Sequence, residues 1–316
     1  MTLSVRIGSR PSALAMVQAE YVKTRLAAIM PGVALEIVPI RTSGDKLTHA
    51  SLARVGGKGL FIRELEQALA GGAIDLAVHS MKDLPARMPP GFALASVPQR
   101  EEVRDILVSA AGADISALAA GARVGTSSMR RRFQALRKNR ALEILPLRGN
   151  VDTRLKKVAE RSLDAIIIAA AGLNRLGRAG EVKFAILDER DFIPAGGQGA
   201  LAIETRAQVD SRELAQALAA LDDRRARLET AAERAFLATL GASCVTPVGV
   251  RATLDAGRLA IRAMLFSLDG ASELSDSLDE PLATDGADPS QSAEAVGVRL
   301  AERMLARGAK GLIGDE

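Results

Sequence analysis

Short apolar stretches alternate with runs of helical periodicity along the first hundred residues. A helical run starts at Pro11 and Ser12 and continues to about Ala28, and a second run covers Ile62–Ala70. Three apolar stretches are predicted to be strands: Ser4–Gly8, Ala34–Ile40 and Ala73–Ser80. Strands that alternate with helices predict an α/β fold, in which a parallel or mixed sheet is covered on both faces.

A second set of alternating strands and helices is predicted over residues 99–199. Each of its four apolar stretches runs into a polar or small-residue turn, and three of these turns lead into helical sequence. The stretches are DILVSA, ARVGTSS, LEILPLRGN and DAIIIAAAGL. The pattern therefore predicts a second α/β unit, followed by a strand at Ala200–Arg206 and helical sequence from about Ser211 to Leu240.

The last part of the chain has a different pattern. Three alternating stretches, VGVRATL, LAIRAMLFSL and ASELSDSL, predict an antiparallel meander, and a final helix is predicted over about Ser290–Arg307. Strands that are followed by a helix in this way indicate a small α+β domain.

Composition agrees with a globular protein of more than one domain. The 316 residues suggest two or three domains, and 48% of them are hydrophobic while 25% are charged. The single cysteine, Cys244, cannot form an internal disulfide and favours a reducing compartment. The first fifteen residues lack the apolar core of a signal peptide, and no stretch is long enough to span a membrane. We expect a cytoplasmic protein.

The charge of the chain favours small anions over nucleic acid. The formal net charge is +4, but acidic and basic residues are interspersed, and only 3% of residues are aromatic. Single-stranded nucleic acid is usually held by stacking on aromatic side chains, which this sequence can hardly supply. The excess of arginine therefore points to ligands with carboxylate or phosphate groups.

Polar residues collect where the predicted strands end. Ligands of open α/β sheets bind beyond the carboxyl ends of the strands, and the planar guanidinium of arginine binds carboxylates with two parallel hydrogen bonds. The alternative is that these side chains lie on solvated helix faces. The residues concerned are Arg10, Ser12, Lys82, Asp83, Thr126, Ser128, Arg130, Arg131, Arg148, Arg154 and Arg175.

Asp83 differs from the other candidates because it is acidic. It could merely shape the turn before Leu84 and Pro85. In a site otherwise rich in cations, it could instead stabilise a positive charge that develops on a ligand, or act as a general base.

Other motifs do not carry a function. GGKG lacks the spacing and the following Ser or Thr of a phosphate-binding loop, and the G-x-G-x-x-A match that starts at Gly197 precedes a strand instead of a helix. Two histidines and one cysteine, far apart in sequence, make no recognisable metal site. Cys244 is left as a core residue, a nucleophile or an attachment point.

An ordered set of motifs resembles the porphobilinogen deaminase (hydroxymethylbilane synthase) family. The set runs from about residue 4 to residue 250, and the remainder fits the small C-terminal domain of that family. In chain order the motifs are RIGSRPSALAMVQA, GGKGLFIRELE, HSMKDLP, VGTSSMRRR, LRGNVDTRL, AAAGLNRLG, PAGGQGA and SCVTPVG.

The resemblance implies two α/β lobes with mixed sheets, like those of periplasmic binding proteins, with the active cleft between them, and a small α+β domain. The implied bounds are residues 1–98 with 200–218, residues 99–199, and residues 219–316. The family carries a dipyrromethane cofactor as a thioether on a cysteine of the third domain. It deaminates porphobilinogen, joins the units head-to-tail on this primer, and releases the linear tetrapyrrole hydroxymethylbilane for heme biosynthesis.

The resemblance also implies a role for each matching residue. Cys244 carries the cofactor, and Asp83 is the catalytic carboxylate that contacts pyrrole N–H groups. Cofactor-binding residues are implied at Lys82, Thr126, Ser128, Arg130, Arg131 and Arg148. Substrate-binding residues are implied at Arg10, Ser12, Arg148, Arg154 and Arg175. The family suggests a monomer, whose partners are porphobilinogen and the growing polypyrrole chain, with no metal, nucleic acid or membrane.

Two residues depart from the family pattern, and a third feature is less specific. Ser243 stands where the family often has Gly, and Asp152 adds a negative charge near the expected anion site. Lys58 and Phe61 either belong to a lid that closes over the cleft or lie in an ordinary loop.

Two other classes of protein compete with the enzyme. A two-lobed small-anion binding protein without catalysis would need neither the cysteine loop nor the third domain. A cysteine-dependent hydrolase should have a histidine near Cys244, and nothing in the sequence places His79 there.

Overall fold

The computed structural model describes residues 4–43, 62–243, 245–282 and 288–313. The chain divides into two compact units, Met1–Arg100 with Ala200–Arg227, and Glu101–Gly199 with Leu228–Glu316. Among the described residues, no helix combines the length and apolar character needed to cross a membrane.

The strands and helices take up most of both units. The strands are β1 (Ser4–Ser9), β2 (Ala34–Pro39), β3 (Leu76–Ser80), β4 (Phe92–Ser96), β5 (Asp105–Ser109), β6 (Arg123–Gly125), β7 (Glu143–Leu145), β8 (Ala165–Ala169), β9 (Phe184–Ile186), β10 (Leu201–Arg206), β11 (Val248–Asp255), β12 (Arg258–Phe266) and β13 (Glu273–Pro281). The helices are α1 (Ala13–Ile29), α2 (Arg63–Ala70), α3 (Met129–Lys138), α4 (Val151–Ala159), α5 (Ala170–Arg175), α6 (Arg212–Leu221), α7 (Arg224–Leu240), α8 (Pro289–Ala306) and α9 (Ala309–Ile313).

The first unit is built on a mixed five-stranded sheet of order β2-β1-β3-β10-β4. Strands β1, β2 and β3 are parallel, whereas β10 is antiparallel to both of its neighbours. The apolar residues of α1 and α6 pack with those of the sheet in one core, in which Ile7 and Leu26 are fully buried. The polar ends of the three parallel strands therefore lie at one edge of this sheet.

The second unit contains a sheet with the same pattern, of order β7-β6-β8-β5-β9. Strands β6, β7 and β8 are parallel, and β5 is antiparallel to both of its neighbours. The two sheets are thus the same arrangement built from different parts of the chain. The carboxyl ends of β6, β7 and β8 meet at one edge.

The similarity of the two sheets extends to an arginine–aspartate pair. In the first sheet, Nη2 of Arg6 lies 2.9 Å from Oδ1 of Asp75, and the Arg6 amide donates to the same carboxylate. In the second, Nη2 of Arg123 lies 3.0 Å from Oδ1 of Asp164, whose carboxylate also accepts from the Arg123 amide. Each arginine begins an Arg-x-Gly sequence, so a repeated local motif supports the repeated topology.

The C-terminal part of the second unit is the antiparallel sheet β11-β12-β13, covered by α7 and α8. The helices approach closely at Gly297, where an added Cβ would lie 2.1 Å from the carbonyl oxygen of Ala232. The aromatic ring of Phe133, on α3, lies with its centroid 5.7 Å from that of Phe266 on β12. This contact joins the β5–β9 region to the C-terminal sheet within one unit.

The fold class expected from the sequence, α/β lobes with mixed sheets and a small α+β region, is confirmed. Strands β4 and β9 were not expected, and β3 begins at Leu76, later than predicted. The helical sequence after Ser211 forms two helices because Asp222 accepts from the Val97 amide and Asp223 caps the next helix at Ala226. The expected bounds of three domains stay a prediction.

Candidate active site

One pocket of the first unit lies where β1 and β3 end. Its polar lining includes Arg10, Ser12, Gln18, Ser80 and Asp83. Ser12 caps α1, and its hydroxyl accepts from the Ala15 amide at 3.4 Å. Because β1 and β3 are adjacent and parallel, residues far apart in sequence are brought to the same edge. Three of the residues predicted from the sequence, Arg10, Ser12 and Asp83, therefore line one pocket.

Asp83 is positioned by the turn that follows β3. Residues Met81–Asp83 form one 3-10 turn, in which Met81 is buried and its amide donates to the Ala200 carbonyl at 3.0 Å. The turn closes with a hydrogen bond of 3.0 Å from the Leu84 amide to the Met81 carbonyl. Lys82 and Asp83 are both exposed. The backbone thus holds the turn while the Asp83 carboxylate stays accessible to a ligand.

The sequence did not single out Gln18 and Ser80 as a pair. Nε2 of Gln18 donates to the Ser80 hydroxyl at 2.9 Å, and Gln18 is only 3% exposed. Gln18 lies on the buried face of α1, and a buried side-chain amide needs hydrogen-bond partners. A glutamine among the apolar residues of this helix was therefore the one signal in the sequence that could have indicated such a pair. The pair connects α1 to the end of β3 beside Asp83.

His79 also lines this pocket and is held by a buried carboxylate. Its Nε2 lies 2.9 Å from Oε2 of Glu204 on β10, and both side chains are almost completely buried. Burial raises the pKa of Glu66, on α2, above its ordinary value, and the negative charge of Glu204 raises it further. His79 is therefore held by Glu204, whose negative charge also acts on Glu66.

The predicted residues of the second unit follow its three parallel strands. Thr126 follows β6 and is buried, and Ser128 caps α3 through the Arg131 amide at 3.4 Å. Arg148 follows β7, and Arg175 ends α5 after β8. Each of these residues thus lies in the segment that follows one of the three parallel strands, whose carboxyl ends share one edge of the sheet.

Arg154 and Arg175 of this unit donate hydrogen bonds to backbone carbonyls. Nε of Arg154 donates to the Gly149 carbonyl at 2.8 Å, and Nη2 of Arg175 donates to the Gly199 carbonyl at 2.7 Å. Gly149 has a φ of 103°, a backbone conformation that favours glycine. The exposed Asp152 of α4 forms an ion pair with Arg178, so its charge has a local partner.

Arg130 and Arg131 lie in the first turn of α3 and share the carboxylate of Asp105. Nη1 of Arg130 lies 2.7 Å from Oδ2, while Nε and Nη2 of Arg131 lie 3.0 and 2.7 Å from Oδ1. Asp105 is not among the residues predicted from the sequence, because a single acid at the start of an apolar strand gives no signal of its partner.

Three of the candidate residues lie outside the part of the chain that the structure describes: Cys244, Lys58 and Phe61. Close to Cys244 in sequence, the Ser243 amide donates to the Thr246 hydroxyl at 2.9 Å. Among the described residues, no group of three or more His, Cys, Asp and Glu side chains is arranged to hold a metal ion.

The two edges define an α/β protein with cationic side chains at the carboxyl ends of parallel strands. This is the place where open sheets bind ligands, and guanidinium groups are suited to carboxylates and phosphates. The exposed Asp83 adds one accessible acid to the edge of the first sheet.

Comparison with known proteins identifies the family. Residues 5–214 match the family model described as porphobilinogen deaminase, dipyromethane cofactor binding domain, and residues 227–306 match porphobilinogen deaminase, C-terminal domain. The chain belongs to the porphobilinogen deaminase family. The matches support this enzyme family and not the alternative of a two-lobed binding protein without catalysis.

Individual relatives agree over nearly the full length. The porphobilinogen deaminase of Syntrophotalea carbinolica is 45% identical over 97% of this chain and 94% of its own length. That of Chromobacterium violaceum is 46% identical over 97% of this chain and 96% of its own length. A solved structure, the probable amino-acid ABC transporter extracellular-binding protein ytmK from Bacillus subtilis, aligns with 70% of this chain and 90% of its own, at 10% identity and a TM-score of 0.40.

Proposed function

We propose that this chain is a hydroxymethylbilane synthase whose catalytic carboxylate is Asp83. The reaction joins porphobilinogen units head-to-tail with release of ammonia and yields a linear tetrapyrrole. The observation that carries the assignment of Asp83 is its position in one pocket with Arg10 and Ser12, in a chain of this family.

The basic and hydroxyl-bearing candidate residues, most of them in the second unit, fit the dipyrromethane cofactor, which carries several carboxylates. Arg130 and Arg131 are buried and share one aspartate, so an anionic group can balance the remaining positive charge. Together with Lys82, Thr126, Ser128 and Arg148, they would hold the cofactor, and the thiol of Cys244 would anchor it as a thioether. When bound, the cofactor supplies the pyrrole carbon on which the chain grows.

Asp83 stabilises positive charge that develops when ammonia leaves porphobilinogen. Its carboxylate accepts hydrogen bonds from pyrrole N–H groups, and its negative charge opposes the charge of the electron-poor ring. One full charge at about 4 Å is worth on the order of 4 kcal/mol at an effective dielectric near 20. Asp83 is exposed here, so a bound substrate must displace water before this interaction reaches that size.

The arginines at the strand ends bind the carboxylates of the substrate and of the growing chain. Each porphobilinogen unit carries two carboxylates. A site for several such units therefore needs many basic side chains and only one acidic side chain. Charge-assisted hydrogen bonds of this kind contribute about 1.5–3 kcal/mol when well placed. We assign this role to Arg10, Arg148, Arg154 and Arg175, together with the hydroxyl of Ser12.

Several properties of the whole protein belong to the same proposal. We assign three domains, residues 1–98 with 200–218, residues 99–199, and residues 219–316. The enzyme acts as a cytoplasmic monomer without nucleic-acid or membrane partners.

Intact-protein mass spectrometry tests the proposal at Cys244. We expect the purified wild-type protein to carry an adduct with the mass of two porphobilinogen residues and Cys244→Ala to lack both adduct and turnover. An active wild-type enzyme with the unmodified mass of its sequence would contradict the thioether and, with it, the proposed mechanism.

A further inference from the structure

Asp105 is a buried acid that the proposed reaction does not use directly. It is the first residue of β5 and has no exposed surface. Its carboxylate accepts from Arg130, from two nitrogens of Arg131, and from Nε2 of Gln198 at 3.0 Å. Four hydrogen bonds saturate a carboxylate, so its orientation is fully determined by these three side chains.

The same contacts fix the direction of both guanidinium groups. Nη1 of Arg130 also donates to the Ile193 carbonyl at 2.7 Å, and Nη1 of Arg131 donates to the Ile167 carbonyl at 3.3 Å. Each guanidinium therefore lies between one carboxylate and one backbone carbonyl. Because each guanidinium is hydrogen-bonded to both of these groups, neither can rotate away without leaving a buried polar group unpaired.

Gln198 connects this cluster to the Pro194–Ala200 segment. Its Nε2 donates to the Val103 carbonyl at 2.7 Å as well as to Asp105. The neighbouring Gly197 amide donates to Glu233 on α7 at 2.7 Å, so the segment is anchored on both sides. The glycine-rich motif thus places one amide against the Asp105 carboxylate.

The three charged side chains of the cluster are not balanced. Two guanidinium groups share one carboxylate, which leaves an excess positive charge among side chains that are nearly completely buried. Burying unbalanced charge is costly, and an anionic ligand would offset part of that cost. A binding site for carboxylates requires an excess of positively charged side chains, whereas an ion pair with a purely structural role would be neutral.

We propose that Asp105 is a positioning residue for the cofactor, which holds Arg130 and Arg131 in the orientation that binds cofactor carboxylates, and that Gln198 fixes Asp105 in turn. This inference rests on the function proposed above. It adds two residues that contact neither cofactor nor substrate but determine how well the cofactor is loaded.

The ionisation of Asp105 agrees with this role. Burial acts to raise the pKa of Asp105, but the charges of Arg130 and Arg131 outweigh it and hold the pKa well below its ordinary value. The carboxylate is therefore charged over the whole range in which the enzyme would be assayed.

The test compares Asp105→Asn with two other variants of the full chain. Gln198→Met removes the side-chain amide that contacts Asp105 but leaves the two arginine–aspartate ion pairs in place. It can therefore be used if Asp105→Asn, which removes the buried negative charge, does not fold. Asp164→Asn is the matched control, since it makes the same change in another arginine–aspartate pair of the same sheet. Each protein is examined by circular dichroism, by intact mass for the fraction with adduct, and by kcat and KM for porphobilinogen.

We expect folded Asp105→Asn to show a loss of roughly tenfold in the adduct-bearing fraction, the size typical when a supporting partner of a binding group is removed. Gln198→Met should show a smaller loss in the same direction, with a raised KM in the loaded fraction. Asp164→Asn should load and turn over like wild type.

A purely structural role gives a different result. Both Asp105→Asn and Gln198→Met would then melt at lower temperature but carry the adduct and keep the wild-type kcat and KM, and this outcome would overturn the proposal. If Asp105→Asn does not fold, Gln198→Met decides alone by the same criterion. Absence of the adduct from the wild-type protein would instead refute the proposed function. The experiment therefore distinguishes a failure of the proposed function from a failure of the positioning role of Asp105.

Discussion

Replacement of Asp83 by Asn tests the central catalytic assignment. The change removes one negative charge and keeps the size of the side chain. The turn itself should survive, because it is held by backbone bonds of Met81 and Leu84 and by burial of the Met81 side chain. We therefore expect Asp83→Asn to fold, to melt close to wild type and to retain the adduct on Cys244.

The size of the effect depends on how far the bound substrate excludes water. At about 4 Å, one charge is worth about 1 kcal/mol in bulk water and about 4 kcal/mol at a dielectric near 20. At about tenfold per 1.36 kcal/mol, these limits correspond to losses in kcat of roughly fivefold and roughly a thousandfold. Because the substrate itself covers the carboxylate, we expect a loss of about a hundredfold or more.

The assay is the initial rate of tetrapyrrole formation by the purified holoenzyme, at saturating porphobilinogen. Asp188→Asn is a suitable control, since Asp188 is also an acid shortly after a strand and pairs with the exposed Arg190. We expect this control to keep the wild-type rate. A loaded, folded Asp83→Asn enzyme with a kcat within about twofold of wild type would refute the electrostatic role, because even the bulk-water limit predicts more.

Two further predictions concern stability. Gly297→Ala should lower the melting temperature of the holoenzyme, because its Cβ would meet the Ala232 carbonyl oxygen at 2.1 Å. Overpacking of this kind typically costs about 1–3 kcal/mol of stability. An unchanged melting curve would contradict the close approach of α7 and α8. Glu66→Gln should stabilise the protein increasingly as pH rises above the ordinary pKa of glutamate. In the folded state burial and Glu204 raise the pKa of Glu66, so ionisation at higher pH favours unfolding. Urea unfolding at acidic and alkaline pH measures this, and an equal effect at both would contradict it.

Local sequence patterns were sufficient for most of the secondary structure. Ser12, Ser128 and Ser211 each precede a stretch of helical sequence, and each caps the helix that follows. Capping depends on residues three positions apart, which is why it can be recognised without a fold. The short strands β4 and β9 were missed. β9 has three residues, too few for a period to be recognised, and β4 is a short apolar run, FALAS, which periodicity alone does not assign to a strand.

The composition of the candidate site was partly predictable. Arg10, Ser12 and Asp83 follow strands β1 and β3, and general properties of α/β sheets place such residues at one edge. The hydrogen-bond partners of the other polar residues that line this pocket were not predictable. Gln18 meets Ser80 across 62 positions of the chain, and the sequence gives no sign of which polar group a buried amide will contact.

The sequence by itself determined the alternation of strands and helices, the helix caps, the excess of cations at strand ends and the family. These properties depend on neighbouring residues or on ordered motifs along the chain. Only the tertiary structure decided that β10 enters the first sheet antiparallel, between β3 and β4. It also decided that the single negative charge of Asp105 is shared by the two adjacent arginines Arg130 and Arg131. Both arise from contacts between distant segments, which form because buried hydrogen-bonding groups and charges must find partners wherever the folded chain supplies them.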